Sequence, residues 1–483
     1  MLKHRAAAAT AWSGADILIR QGLQFAVSIA LARLLGPEEF GTIALLYLFT
    51  GVAGVVVDSG FGSALVQQQD ITPVDESTVF WWQLGAGFLA ACVLVASAPA
   101  IAGYFSEPLL VPLMASLALA VVAGAAGGVH AAMLTRRLDF RTQLRAGAVA
   151  TLVSGLVAVA MAWNGSGVWA LAAQVVTMAA VNTAMLWWLT GWRPKRVFSV
   201  ASMGRLFGFG GYLLAANLSD MVYTRGYNLL IGKLHGVREL GFYSRADGTQ
   251  QLPVAGLSAM LSRVALPMFS AAAADRAQIR RGAELAVRAV MLLNVPMMLG
   301  LAAVAEPFVE AVFGPKWLPA VPILQVLCLA GVLWPLHVLN LNMLLAQGHS
   351  RLVLKLELPK KLIGICLLVV GSLLGVMGVA WSQVATGLIA FAINAHYSRR
   401  LFGYGAATQL RDFFPAMAVA LPMAAIVYAI GRWWHAGAVT ELFALAGLGI
   451  VVFSAFAWTA GLKAVAEVRA LVPRHHQRND SAA

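Results

Sequence analysis

Leu362-Ile363-Gly364-Ile365-Cys366-Leu367-Leu368-Val369-Val370-Gly371-Ser372-Leu373-Leu374 is apolar on every face, whether wound as a helix or drawn out as a strand. A strand of a membrane barrel alternates polar and apolar side chains over about ten residues, so this run is not one. Stretches of its kind recur along the whole chain. With their flanks they reach the ~20 residues a helix needs to cross a hydrocarbon core of about 30 Å. Hydrophobic residues make up 60% of the 483 and charged residues only 11%, where soluble domains carry roughly a quarter charged. That composition excludes a water-soluble globule and predicts an all-α polytopic membrane protein.

Breaks at charged or Gly/Pro-rich positions give fourteen expected spans, at 11–35, 40–66, 78–104, 109–134, 144–163, 167–190, 204–232, 239–268, 281–305, 318–346, 352–374, 378–398, 413–431 and 440–462. The connections are short and leave no extramembrane domain for soluble-type chemistry. A net charge of +13 would suit a nucleic-acid partner if it were gathered in one place, but the 34 Lys and Arg lie scattered in small groups between apolar segments. No nucleic-acid partner is expected, and the charge reads as a topology signal. With the N-terminus inside, most of these bases, Lys355, Lys360 and Lys361 among them, fall at cytoplasmic ends. Arg33, Lys233, Arg238, Lys316 and Arg432 fall on the opposite side, so both termini are expected in the cytoplasm. Cys92, Cys328 and Cys366 sit inside apolar stretches and read as small core residues, with no metal-ligand spacing and no cofactor expected. Trp81, Trp82, Trp187, Trp188 and Trp192 fall near expected membrane borders and read as interface anchors; His130, His337 and His396 read as hydrogen-bonded helix contacts.

The chain also repeats itself. Leu35-Gly36-Pro37-Glu38-Glu39-Phe40-Gly41 faces His235-Gly236-Val237-Arg238-Glu239-Leu240-Gly241 at an offset of 200, each joining the first two helices of a six-helix set. Met133-Leu134 and Arg141 face Met343-Leu344 and Arg351, and Gly167-Val168 faces Gly378-Val379. Six helices per copy leave both copies in the same orientation, related by an axis along the membrane normal. The expected organisation is an N-terminal lobe at 1–200, a C-terminal lobe at 201–402, two further helices at 403–463 and a polar tail at 464–483. The Gly-x-x-Glu-x-Gly turn reads as a helix-capping glycine followed by a glutamate near the next helix N-terminus.

Ionisable groups inside spans cost roughly 2.5–3.5 kcal/mol each and face protein or water, so they carry the functional signal. Asp16 and Arg20 lie on the first helix, Asp58 on the second, Asp220 and Arg225 on the seventh, Arg245 and Asp247 on the eighth, Glu284 and Arg288 on the ninth. Gln21, Gln24, Asn217, Asn228, Gln250 and Gln251 accompany them. This set predicts a hydrophilic cavity between the lobes. Arg20 and Arg288 stand i,i+4 from Asp16 and Glu284, so mutual neutralisation and anion binding are both open for them. Arg225 and Arg245 have no well-spaced partner on their own helices and are the better sites for an anionic ligand, which an arginine fork suits. Asp16, Asp58, Asp220 and Asp247 read either as structural partners or as proton or cation sites, with Asp58 the first choice for ion coupling.

The Ala32-to-Gly41 segment, Asp58-Ser59-Gly60-Phe61-Gly62-Ser63-Ala64-Leu65-Val66-Gln67, and Gly241-Phe242-Tyr243-Ser244-Arg245-Ala246 followed by Gln251-Leu252-Pro253 resemble the Wzx-type polysaccharide exporters. That family shares a superfamily with multidrug extruders and lipid II flippases, and the likeness spans nearly the whole chain, closest to the colanic-acid-exporter-like branch. The resemblance implies a flippase of the bacterial cytoplasmic membrane, not an enzyme. It would carry undecaprenyl-diphosphate-linked oligosaccharide repeat units to the periplasmic leaflet by alternating access, for capsule, exopolysaccharide or O-antigen assembly. Membrane lipids and other polysaccharide assembly proteins are the implied partners. It further implies that Arg20 and Arg245 match cavity positions by helix and that the last two helices form a groove for the lipid tail; the second helix departs from the lipid II flippases in offering no arginine. The competing readings are an ion-coupled multidrug or small-solute antiporter and, from another class, a membrane polysaccharide polymerase or ligase. The last would need a sizeable catalytic loop.

Overall fold

The computed structural model describes residues 19–271, 275–434 and 436–461, and among these the secondary structure is helical, with no strand. The chain divides into two compact units, Met1–Ser244 and Arg245–Ala483, with the boundary inside one helix.

The first unit contains α1 (19–34), α2 (Pro37–Asp58), α3 (Phe61–Gln67), α4 (Pro73–Phe105), α5 (Leu110–Arg136), α6 (Phe140–Trp163), α7 (Val168–Thr190), α8 (Val200–Leu234) and the start of α9 (Gly236–Ala271). The second continues α9 and adds α10 (Arg276–Ala303), α11 (Ala305–Val312), a 3-10 turn at Pro315–Ala320, α12 (Val321–Ala346), α13 (Ser350–Leu373), α14 (Gly375–Phe402), α15 (Ala406–Trp433) and α16 (Ala438–Thr459).

Among the described residues, ten stretches are long and apolar enough to cross a membrane: α2, α4 to α7, α10, Pro315–Ala346, α14, α15 and α16. The helices α8, α9 and α13 fall short for a physical reason: their polar and charged groups dilute the hydropathy, and in α8 and α9 these include Asp220, Arg225, Arg245 and Asp247, which the sequence marks as functional. Large apolar side chains such as Phe443, Ile450 and Trp458 of α16 point outward, as a lipid-facing helix requires.

One expected span is broken. The stretch 40–66 stops at Asp58, where Ser59 (φ 49°) and Gly60 (φ 73°) both take left-handed backbone and start the short α3. Gly60 also lies against α8, where a Cβ would sit 2.9 Å from the Gly210 Cα. At the other end of α2, Pro37 opens the helix and Glu39 accepts the Gly36 N–H at 2.9 Å, as the capping reading of the repeat motif requires.

The two copies of that motif meet. A Cβ on Gly41 would lie 2.6 Å from the Val237 carbonyl carbon, and a Cβ on Gly241 would lie 2.6 Å from that of Pro37. The contact is reciprocal, because residues 37 and 41 match 237 and 241 at the offset of the repeat. Along the same seam Asn228, 1% exposed, donates to the Ala44 carbonyl at 2.6 Å. These contacts hold α8 and the start of α9 in the first unit.

The acidic segment before α4 is structural. Thr72 and Asp75 form a reciprocal cap, and fully buried Asp75 accepts from Arg205 of α8 at 2.6 Å. Of the five tryptophans read as interface anchors, Trp81 and Trp188 are exposed. Trp82, Trp187 and Trp192 turn inward instead, against Phe61, Phe80 and His130, because His130 is fully buried between the rings of Trp187 and Trp192.

Candidate functional site

The first unit contains a partly open cavity of about 520 Å³, within the range of roughly 300–1,000 Å³ usual for small-molecule sites. Six helices build it. Arg20 and Gln24 come from α1, Tyr47, Thr50 and Asp58 from α2, and Gln83 from α4. Small residues of α5, Thr151 and Ser154 of α6, and Gln174, Met178 and Asn182 of α7 complete the wall.

Local geometry explains how these groups arrive. Arg20 packs across α6 where Gly147 makes room; a Cβ there would lie 2.6 Å from the Arg20 Cδ. Asp58 is the last residue of α2, and the helix stop at Ser59-Gly60 fixes its carboxylate. Its Oδ1 accepts from the Gly62 N–H at 3.2 Å and from Gln83 Nε2 at 3.2 Å. Gln83 is 2% exposed, so its amide is held in place by α5 and Asp58. Thr151 and Ser154 spend their hydroxyls on backbone carbonyls of α6.

Three amides of the lining are unengaged. Gln24, Gln174 and Asn182 form no side-chain hydrogen bond among the described residues, and each amide offers two donors and an acceptor. Arg20 and Asp58 are the charged lining groups, one of each sign, so the wall carries no formal net charge.

The other expected site residues are distributed differently. Asp16 lies outside the described residues. Asp220 is exposed on α8, and Arg225 is half-buried on the same helix. Asp247 accepts twice from Gln251 at 2.9 Å. The Arg245 guanidinium lies 4.9 Å from the Phe313 ring centroid and 5.2 Å from that of Trp317, stacked against two buried aromatics. Arg288 is tied to Asp412 at 3.0 Å and to Glu284 at 3.6 Å, so the partner foreseen on its own helix is joined by a second from α15. Asp412 in turn accepts from Tyr404 at 3.0 Å; burial and that carboxylate push the Tyr404 hydroxyl well above its ordinary range. The structure therefore brings Arg20 and Asp58 together, and gives Arg245 and Arg288 protein partners.

Two groups of residues escaped the sequence reading. Gln174 and Asn182 stand eight apart on one face of an otherwise apolar helix, a signal that amides in a membrane span provide. Lys360, counted as a topology charge, lies well inside α13 and is 5% exposed; Glu357-Leu358-Pro359-Lys360 carried the hint.

Apolar helices in this number define a multi-pass membrane protein. The chain belongs to the polysaccharide biosynthesis protein family, whose model matches residues 30–322. It is 30% identical over 408 residues to the teichuronic acid biosynthesis protein TuaB of Bacillus subtilis, covering 83% of this chain and 82% of that one. It is 24% identical over 448 residues to the lipopolysaccharide biosynthesis protein WzxC of Escherichia coli, covering 89% and 88%. The fold is similar to that of a solved structure of the lipid II flippase MurJ, with a TM-score of 0.75 at 14% identity over 96% of this chain and 100% of that one.

Proposed function

We propose that the protein is a flippase that moves undecaprenyl-diphosphate-linked oligosaccharide repeat units from the cytoplasmic to the periplasmic leaflet of the bacterial inner membrane. Both termini are cytoplasmic in this reading, fourteen helices cross the bilayer, and two six-helix lobes alternate access to the substrate while the last two helices attend the lipid tail. Family membership and the MurJ-like fold support it.

The observation that carries the reading is the neutral, amide-lined cavity. A hydroxyl both donates and accepts, and so does a primary amide, so Gln24, Gln174 and Asn182 match a sugar better than they match an apolar drug. A diphosphate would need a surplus of cations that this wall lacks. We assign the cavity to sugar of the headgroup, with Arg20 and Asp58 fixing its orientation, and leave the diphosphate to the arginines outside it, of which half-buried Arg225 is the first choice.

One observation favours the antiporter as second reading: Asp58 has no ion-pair partner among the described residues, which suits an ion-coupled carboxylate. A polymerase or ligase has no such support, since the longest connection between described helices runs over residues 191–199.

The test is reconstitution in liposomes with a fluorescent lipid-linked oligosaccharide, followed by protection from an external glycosidase. Protein-dependent translocation that falls about 10- to 100-fold in Arg20→Gln and Asn182→Leu agrees with loss of one or two strong hydrogen bonds. Absence of any protein-dependent change would refute the flippase reading. Indifference to both substitutions, with dependence on Asp58, would favour the antiporter.

A further inference from the structure

In the second unit a buried charge stands where the proposed transport pathway has given it no task. Lys360 lies well inside α13, and its ammonium donates to Glu357 one turn earlier and to Asn394 Oδ1 of α14 at 2.9 Å. Asn394, 2% exposed, places its Nδ2 2.8 Å from Nδ1 of His337 on α12. Three helices are thus joined by one chain of hydrogen bonds.

The direction of that chain is fixed by chemistry. An ammonium has only donors, so the Asn394 oxygen must face Lys360 and its NH2 must face His337. The His337 Nδ1 is therefore the bare, accepting nitrogen, and the imidazole is neutral. A proton arriving at Nδ1 would set N–H against NH2. The amide could satisfy the imidazolium only by turning over, which would present its NH2 to the Lys360 ammonium, donor against donor. Lys360 would then keep Glu357 alone. Glu357, whose side chain is 27% exposed, is the counter-charge of the buried ammonium.

The backbone beside the cluster can yield. Pro335 sits two residues before His337 in α12, and Pro359 directly precedes Lys360 in α13; each removes a helical hydrogen bond at the point where the helix would have to move. The charged and titratable groups facing the cluster are few. On α13 they are Lys360 and Glu357, and on α12 His337. On α14 the facing group is neutral Asn394, while His396, Arg399 and Arg400 are exposed.

We propose that His337, Asn394, Lys360 and Glu357 form a proton-binding site in the second unit, and that loading it on His337 releases Lys360 and shifts α13 against α12 and α14. The inference rests on the transport reading for its purpose, since it supplies translocation with a proton-driven step. The arrangement itself is independent of that reading.

The experiment has two arms. Trp334 stacks near His337, with ring centroids 5.4 Å apart, and an imidazolium quenches a neighbouring indole. Tryptophan emission of the purified protein, with the emission of Trp334→Phe subtracted, should fall as pH drops. His337→Gln, which can still accept from Asn394 but cannot titrate, should abolish that change. In proteoliposomes, translocation should vary about tenfold between pH 7 and pH 4, and both His337→Gln and Lys360→Met should flatten the profile. A Trp334 signal that does not titrate, or a wild-type pH profile retained by His337→Gln, overturns the proposal. Should the titration appear in protein that translocates nothing, the proton site stands and the flippase reading fails.

Discussion

Replacing Gly41 by alanine tests the seam on which the first unit depends. The added Cβ would lie 2.6 Å from the Val237 carbonyl carbon and 2.9 Å from the Gly241 nitrogen, whereas carbon atoms in contact stand about 3.5–4.0 Å apart. The Val237 carbonyl oxygen is nearer still, so the backbones of α2 and α9 must part by more than about 1 Å, and no flexible side chain is available to give way instead. Overpacking of this kind costs about 1–3 kcal/mol, and parting of the two helices would also strain the buried Asn228 bond to Ala44. Gly241→Ala meets the Pro37 backbone in the same manner and should cost a similar amount. Once one substitution has separated the backbones, the second meets less resistance, so the double variant should lose less than the sum of the singles, by about 0.5–3 kcal/mol. The assay is the thermal midpoint of detergent-purified protein followed by intrinsic fluorescence. Unchanged midpoints for the single variants, or strictly additive losses in the double, would refute the reciprocal contact.

Further outcomes follow from the second unit. Arg288→Leu strips Asp412, whose side chain is 5% exposed, of its cation and should destabilise by about 3–5 kcal/mol, while Arg288→Leu with Asp412→Leu should recover most of that loss in a denaturation series. Tyr404 should govern only the alkaline limb of stability. Its hydroxyl is held protonated above its unfolded range, so its contribution is complete below about pH 10 and is lost as pH rises further. Thermal midpoints measured against pH should therefore show a steeper alkaline fall in wild type than in Tyr404→Phe. Arg245→Lys gives up the planar stack on Phe313 and Trp317 and should cost about 0.5–2 kcal/mol although the charge is kept; an unchanged midpoint would speak against the stack.

Helices were legible in the sequence because burial in lipid demands apolar side chains on every face, and hydropathy reports that directly. The break at Ser59-Gly60 was not, because it lies inside an apolar run and rests on two left-handed residues and on the approach of Gly210, a residue 150 positions away. The polar residues were legible as a set but not as a site. Arg20 and Asp58 share a cavity only because Gly147 admits the arginine and Gln83 steadies the aspartate, neither of which any spacing rule reports. Arg245 and Arg288 looked unpaired or singly paired along their own helices, yet their partners come from residues 313, 317 and 412. Helical spacing sees one element at a time, while charge compensation in a bundle is settled between elements.

The two units treat polar side chains in opposite ways, and the difference bears on how work could be divided between them. In the first, Gln24, Gln174 and Asn182 line a cavity without hydrogen-bonding one another or the described backbone, a costly arrangement inside apolar helices unless water or a ligand completes it. In the second, amides close on each other: Asn340 donates to Gln409 Oε1 at 3.0 Å, Gln409 donates back to Asn340 Oδ1 at 2.9 Å, and Ser398 adds a third bond at 2.6 Å. A closed network of this kind has little to offer a sugar, but it is rigid, and its Asn340 and Ser398 lie on the same helices as His337 and Asn394. A proton that breaks one bond at His337 would therefore act on helices already tied together, and the movement would be transmitted rather than absorbed. On the two proposals, substrate choice would fall to the open amides of the first unit and energy input to the His337 cluster of the second. Substitutions in the cavity should alter which glycan is accepted, and substitutions at His337 or Lys360 should alter how translocation responds to pH.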